Sequence, residues 1–169
     1  MRKELLLGCG GRRNKDLAIE GHKDFENVIT LDNNISHNPD IVFDLTEHPL
    51  PFKDNEFDEI HAYEVLEHLA QQGDYKFFFK EFSEYSRILK PDGLFFCSVP
   101  HHQSIFALGD PSHKRIITKQ QLFFLDQDFY NQVGKTACSD FRYIYKANFK
   151  LVFDQETKDQ YKFILQVKK

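Results

Sequence analysis

The chain has 169 residues, 41% hydrophobic, 15% aromatic and 28% charged, with Lys plus Arg 22 against Asp plus Glu 26 for a net charge of −4. Those values fit one globular domain, 1–169, and exclude a disordered, collagenous or coiled-coil chain. The acidic balance leaves no general field for long nucleic acid, and no apolar run approaches the ~20 residues of a membrane span.

No apolar segment precedes the first glycines, so no secretory signal is visible, and Cys9, Cys97 and Cys138 cannot all pair. Both point to reduced thiols and a cytoplasmic protein. With 18 Phe and no Trp, phenylalanine is expected to fill the core.

Short apolar runs mark five strands: Lys3–Leu7, Val28–Leu31, Ile41–Phe43, Phe57–Ala62 and Leu94–Val99. Their connections suit crossovers, so the sheet should be largely parallel. The clearest helix spans Asp74–Leu89, where Phe78, Phe82, Tyr85 and Leu89 form one apolar stripe and Pro91 ends the run. A shorter helix is expected over Val65–Gln72. Another should run from an N-cap at Thr118 to about Val133, with Leu122, Phe123, Leu125 and Phe129 inward. Gly11–Asn27 has room for one helix at most, and Asp32–Ile41 for none. Lys150–Asp154 and Tyr161–Val167 read as a terminal hairpin.

The first strand ends in Gly8-Cys9-Gly10-Gly11, a turn whose backbone can approach a ligand closely. The dinucleotide fingerprint fails, because its third glycine falls on Arg13. Asp32 closes the second strand 22 residues after Gly10, and Asp44 closes the third. Both acids stand at the carboxyl edge of the sheet, where open α/β sheets bind ligands, and Asp32 suits a pair of ribose hydroxyls.

The segments LLLGCGG, VITLDNN, PLPFKDNEFD, VLEHL and RILKPDG, in this order and spacing between Lys3 and Pro100, resemble the class I S-adenosylmethionine-dependent methyltransferases of the type 11 group. The resemblance implies a Rossmann-like α/β fold. The five strand runs, right-handed crossovers and the terminal hairpin give a seven-stranded, mostly parallel sheet with one antiparallel strand, and the short Asp32–Asp44 connection leaves few helices on one face. The resemblance also implies that Gly8, Cys9, Gly10 and Gly11 border the methionine part of S-adenosylmethionine. Asp32 and Asn33 would hold the ribose, Asp44 and Leu45 the adenine, and Tyr63 and Glu64 would lie beside the sulfonium. The family usually has an acid two residues before the first glycine. Leu6 stands there, so contacts to the methionine amine must come from elsewhere.

After the fifth strand come His101, His102 and Asp110-Pro111-Ser112-His113-Lys114-Arg115. Methyl transfer needs alignment, and a base where the acceptor is a hydroxyl or protonated amine. His101 and His113 have the intrinsic pKa for that work, and Glu64 joins them as a catalytic candidate. Glu64, Glu67 and His68 form E-x-x-E-H. With His113 they make a set able to hold Mg²⁺ or Mn²⁺, conditionally on their closing together. The reading favoured over it is metal-free, with the acids capping a helix start and a histidine as base.

The function expected is methyl transfer to an unidentified O or N nucleophile on an open acceptor side, with a homodimer as one means of covering it. A catalytically silent S-adenosylmethionine-binding or assembly subunit is the alternative.

Overall fold

The computed structural model describes residues 1–19 and 21–169. Its sheet contains β1 (Glu4–Leu7), β2 (Val28–Asp32), β3 (Ile41–Val42), β4 (Phe57–Tyr63), β5 (Leu89–Pro100), β6 (Phe149–Glu156) and β7 (Gln160–Val167). The seven strands lie in the order β3-β2-β1-β4-β5-β7-β6. Pairs from β3 through β5 are parallel, and β7 runs antiparallel to both β5 and β6. This is the Rossmann-like, mostly parallel sheet expected from the sequence, with the hairpin supplying the one reversed strand.

α1 (Tyr75–Ile88) is the single long helix among the described residues. The Asp74 side chain caps it by accepting from Phe77 N–H at 3.0 Å, and Leu89 leaves it with extended φ and ψ. Its inner stripe is Phe79, Phe82, Tyr85 and Ile88, all buried, while Phe78 is half-buried. Phe82 and Tyr85 meet Phe95 of β5, Tyr85 stacking on it at 4.8 Å between centroids. Each such ring contributes roughly 1.5–3 kcal/mol of burial free energy.

Two expected helices are much reduced. Over Val65–Gln72 the structure has only a 3-10 turn, Leu66–His68. Glu64 and Ala70 both have positive φ and Leu69 is extended, so the backbone enters and leaves the turn in non-helical conformations. The run after Thr118 breaks into α3 (Lys119–Phe123) and a 3-10 stretch, Gln127–Gln132. Asp126 caps the second piece through Asp128 N–H, and Leu125 O is taken by Phe149 N–H at the start of β6. Phe123 consequently turns outward, 36% exposed. Another short helix, α2 (Phe106–Gly109), follows β5.

The two faces of the sheet differ. Leu5, Leu7, Ile60, Ala62, Phe95 and Cys97 share the apolar core under α1. On the other face the register sets Glu4 beside Glu59, Leu6 beside His61 and His61 beside Phe96. No helix covers that face from the β1–β2 connection among its described residues; the connection crosses as irregular chain. Lys15 from this segment is 1% exposed and ion-pairs with Glu4 and, at 3.0 Å, with Glu59. Phe25 packs edge-on to His61 at 5.0 Å. Tyr63 is tied to Leu17 N–H at 3.3 Å.

Candidate active site

Gly8 and Gly10 end β1 with φ of +55° and +50°. At Gly8 a Cβ would lie 2.6 Å from Val65 Cγ2, so the turn passes too close to Val65 for any side chain. Gly10 N–H donates to Asp32 Oδ2 and Asn34 N–H to Asp32 Oδ1, both at 2.8 Å. Burial opposes the charge on Asp32, but these two N–H groups and the His37 ring hold its pKa below the usual carboxylate value. The acid thus faces the cleft ionised and fixed. Asp44 is fixed by its own turn, Oδ1 accepting from Thr46 N–H and Oγ1–H at 2.8 Å each. Arg13 locks the rim, its guanidinium donating to Gly10 O at 2.8 Å and His37 O at 2.9 Å.

Two cavities adjoin at the glycine turn. The larger, about 400 Å³, is lined by Gly8, Gly10, Asp32, Asn33, Asp44, Leu45 and Glu64 together with His37, Phe43, Val65, His68 and Leu69. The smaller, about 210 Å³, is lined by Leu6, Gly8, Cys9, Gly10, Gly11, Tyr63 and Glu64 together with Arg12, Asn14 and Asp16. All ten residues expected to border a cofactor therefore line one cavity or both, with Gly8, Gly10 and Glu64 shared. Another cavity, about 250 Å³, lies behind α1 among Phe78, Phe79, Phe124 and Phe141, apart from this turn.

Sequence reasoning missed Asp16 and His37. Asp16 brings a carboxylate into the smaller cavity that Leu6 also lines, with Arg12 paired to it at 3.2 Å. His37 reaches Asp32 Oδ1 at 3.2 Å. Their loop positions carry no periodic signal; only the missing acid at Leu6 hinted that a substitute was needed.

Glu64 stands where the two cavities meet, with φ of +55°. That conformation is uncommon for a residue with a side chain and is held by its surroundings. Glu64 N–H donates to Ser98 O at 2.8 Å, and its Oε1 accepts from Ser98 Oγ at 2.8 Å and Gln160 Nε2 at 3.0 Å. Tyr63 lines the smaller cavity, but its hydroxyl is engaged with Leu17 and, at 2.7 Å, His61.

The histidines separate. His101 packs against the β6–β7 turn: its N–H donates to Asp159 O, its Nδ1 accepts from Gln103 N–H, and Nε2 lies 3.9 Å from Glu156. His113 instead meets Glu67 at 3.9 Å and His68 ring to ring at 4.6 Å. The conditional metal set therefore divides. Glu67, His68 and His113 come together, while Glu64 is held toward β5 and β7. Glu67 is buried and its carboxyl is pushed up to about 8, burial being the main cause and Glu64 a lesser one. Arg115 is buried and pairs with Glu81 at 2.7 Å while donating to Leu66 O, so it braces the turn that carries Glu67.

The loop after β5 leaves Ile105 81% and Leu108 74% exposed, and Phe106 is exposed between them, so the side nearest His113 is open. No helix among the described residues is long and apolar enough to cross a membrane.

A methyltransferase-domain family model matches residues 5–97, more than half of the chain. No curated protein matches it in sequence. Among solved structures, a SAM-dependent methyltransferase from Archaeoglobus fulgidus superposes with a TM-score of 0.60 at 17% identity, over 98% of this chain and 86% of that one. A chain from the complex between the Haloferax volcanii Trm112 methyltransferase activator and a methyltransferase gives 0.59 at 14% identity, over 99% and 83%. A Mesorhizobium loti S-adenosylmethionine-dependent methyltransferase gives 0.57 at 12% identity, over 98% and 90%. At such identities the likeness is one of fold. The family match establishes that the chain belongs to the methyltransferase-domain family, enzymes that take their methyl group from S-adenosylmethionine.

Proposed function

We propose that this enzyme holds S-adenosylmethionine across its two adjoining cavities and methylates an O or N nucleophile presented from the open side. The observation that carries the reading is the shared border of the cavities at Gly8, Gly10 and Glu64. It gives one ligand a path from Asp44 and Leu45 past Asp32 to Asp16. In this reading Asp44 and Leu45 take the adenine, Asp32 and Asn33 the ribose hydroxyls, and Asp16 the methionine ammonium. The bound sulfonium supplies an electrophilic methyl group, so alignment is the chain's main contribution. Glu64, pinned by Ser98 and Gln160, fixes the position beside the methyl group. Where the acceptor carries a proton, Glu64, His101 and His113 are the groups able to take it.

The exposed Ile105, Phe106 and Leu108 support an acceptor, second subunit or protein partner arriving from that side. The free cysteines support a reducing, cytoplasmic setting. Calorimetric titration with S-adenosylhomocysteine tests the reading. Asp32→Ala removes a charged acceptor of two hydrogen bonds, each worth roughly 1.5–3 kcal/mol, so affinity should fall at least about tenfold. Unchanged affinity in a folded variant refutes the ribose placement. Cofactor binding without turnover on any acceptor class would favour the silent-subunit alternative.

A further inference from the structure

Two groups of acids and imidazoles are placed to surround a cation: Glu4, Glu59 and His61, and Glu67, His68 and His113. The first already holds the Lys15 ammonium. In the second, one donor atom from each residue lies within 4.8 Å of the others, and no Lys or Arg among the described residues forms an ion pair with Glu67. Glu67 is 2% exposed, and neither of its carboxylate oxygens has a hydrogen-bond partner among the described residues. A buried acid left so is costly and calls for a partner.

The hydrogen bonds around the cluster fix what the rings present. Ser112 Oγ gives its own proton to Asp110 Oδ1 at 2.6 Å, so toward His68 Nδ1, at 3.0 Å, it accepts. His113 Nδ1 lies 3.2 Å from Ala107 O, which can only accept. A neutral ring at either position therefore carries its proton on Nδ1 and keeps a lone pair on Nε2, and His113 Nε2 stands 3.9 Å from Glu67 Oε1. The His113 Nε2 lone pair faces the Glu67 carboxyl, and a ring nitrogen of His68 lies within 4.8 Å of a donor atom of each.

We propose that Glu67, His68 and His113 bind one first-row divalent metal ion of the Mn²⁺-to-Zn²⁺ class. Two imidazoles with one carboxylate suit these ions better than Mg²⁺ or Ca²⁺, which favour oxygen shells. The Nδ1–H bonds to Ala107 and to the Ser112–Asp110 pair are the outer contacts that aim imidazole ligands. Glu64 stays outside the set, its Oε1 held by Ser98 and Gln160, so three protein ligands leave positions for water or an acceptor oxygen. His68 also lines the larger cavity, which puts the ion at the wall of the cofactor cleft. The consequence for catalysis rests on the methyl-transfer reading: His113 becomes a ligand, and an acceptor oxygen would be held beside Glu64.

The full chain, stripped with a chelator and dialysed, should take up one equivalent of Mn²⁺, followed by electron paramagnetic resonance, and one of Zn²⁺, followed by calorimetry. Dissociation constants near ~10 μM or tighter are expected. His113→Ala and His68→Ala should each weaken binding more than about tenfold, and Ser112→Ala by about tenfold through the outer contact. Circular dichroism checks folding, and if His113→Ala does not fold, His68→Ala decides, because that ring is only half-buried. No saturable binding to folded wild-type protein below ~1 mM, or binding unchanged in the folded histidine variants, overturns the site. Titration with S-adenosylhomocysteine in parallel separates the two readings. Metal uptake without cofactor binding sinks the methyl-transfer reading alone, and cofactor binding without metal uptake sinks the metal site alone.

Discussion

Glu4–Glu59–His61 and Glu67–His68–His113 have nearly the same chemistry and opposite settings. The first lies mid-sheet on β1 and β4, where the chain itself supplies the positive charge through Lys15 and Arg2. There the charges pin an irregular segment across a face that helices would otherwise cover. The second lies beyond the end of β4, beside the cofactor cleft, and Glu67 is left without a hydrogen bond among the described residues. A structural acid cluster is closed by the fold; one left open beside a ligand cleft is where local satisfaction has yielded to function.

The contrast breaks most visibly at Lys15. Lys15→Met would leave Glu4 and Glu59 buried with their main cation gone, and removing one partner of a buried pair costs about 3–5 kcal/mol. Denaturant unfolding should show that loss, and adding Glu4→Gln should recover part of it by removing one orphaned charge. A loss under about 1 kcal/mol would mean the pair behaves like a surface bridge and does not hold the segment down.

Glu67 should respond with the opposite sign. Its pKa in the fold, about 8, lies above its unfolded value because burial penalises the charge. A raised carboxyl pKa favours the fold at low pH: this stability is full below the ordinary value of 4.5, falls as the unfolded carboxyl ionises, and is gone once pH passes about 8. In chelator-treated protein, Glu67→Gln should therefore melt close to wild type at pH 4.5 and clearly above it at pH 8, with most of the gap already open at pH 7. Glu59→Gln should melt below wild type at both, since hydrogen bonds from His61, Lys15 and Arg2 outweigh burial and keep Glu59 well below the usual carboxylate range. Equal pH profiles for Glu67→Gln and wild type would mean that this carboxylate is solvated.

The two clusters also mark how far the sequence was legible. Strand runs ending in Gly8, Asp32 and Asp44 were plain, because β periodicity and turn residues are local signals, and with them came the sheet; the ten expected residues of the cleft border followed from the family resemblance. The Val65–Gln72 and Thr118–Val133 helices were overcalled. Apolar spacing there matched a helix, but positive φ at Glu64 and Ala70 and the strand contact at Leu125 are decided by tertiary packing. Lys15 and Asp16 were missed for a related reason, acting from irregular chain on strands far away in sequence; His37 sits on a short 3-10 turn with no periodic signal. The E-x-x-E-H run was seen, yet which acid joins the histidines was settled by Ser98 and Gln160, neither of them near Glu64 in sequence.

The smallest effect belongs to His61. Its ring stacks on Phe96 at 4.5 Å and meets Phe25 edge-on, Nε2 facing Glu59 at 3.1 Å and Nδ1 the Tyr63 hydroxyl at 2.7 Å. Burial pushes its pKa below the ordinary histidine value. Glu59 and Glu4 oppose that and Lys15 adds to it. A neutral ring with its proton on Nε2 donates to Glu59, and its Nδ1 faces the Tyr63 hydroxyl, whose one proton is shared between that nitrogen and Leu17 O at 3.1 Å. On unfolding below about pH 6.5 the freed imidazole takes up a proton that the folded ring refuses, so stability falls with pH in that window. The direction is opposite to that at Glu67, and each unit of pKa displacement is worth about 1.4 kcal/mol. Melting temperatures between pH 7 and 5 should decline less steeply in His61→Gln than in wild type. An unchanged slope would show His61 to be charged in the fold, and the Lys15 cluster would then carry one more positive charge than its geometry requires.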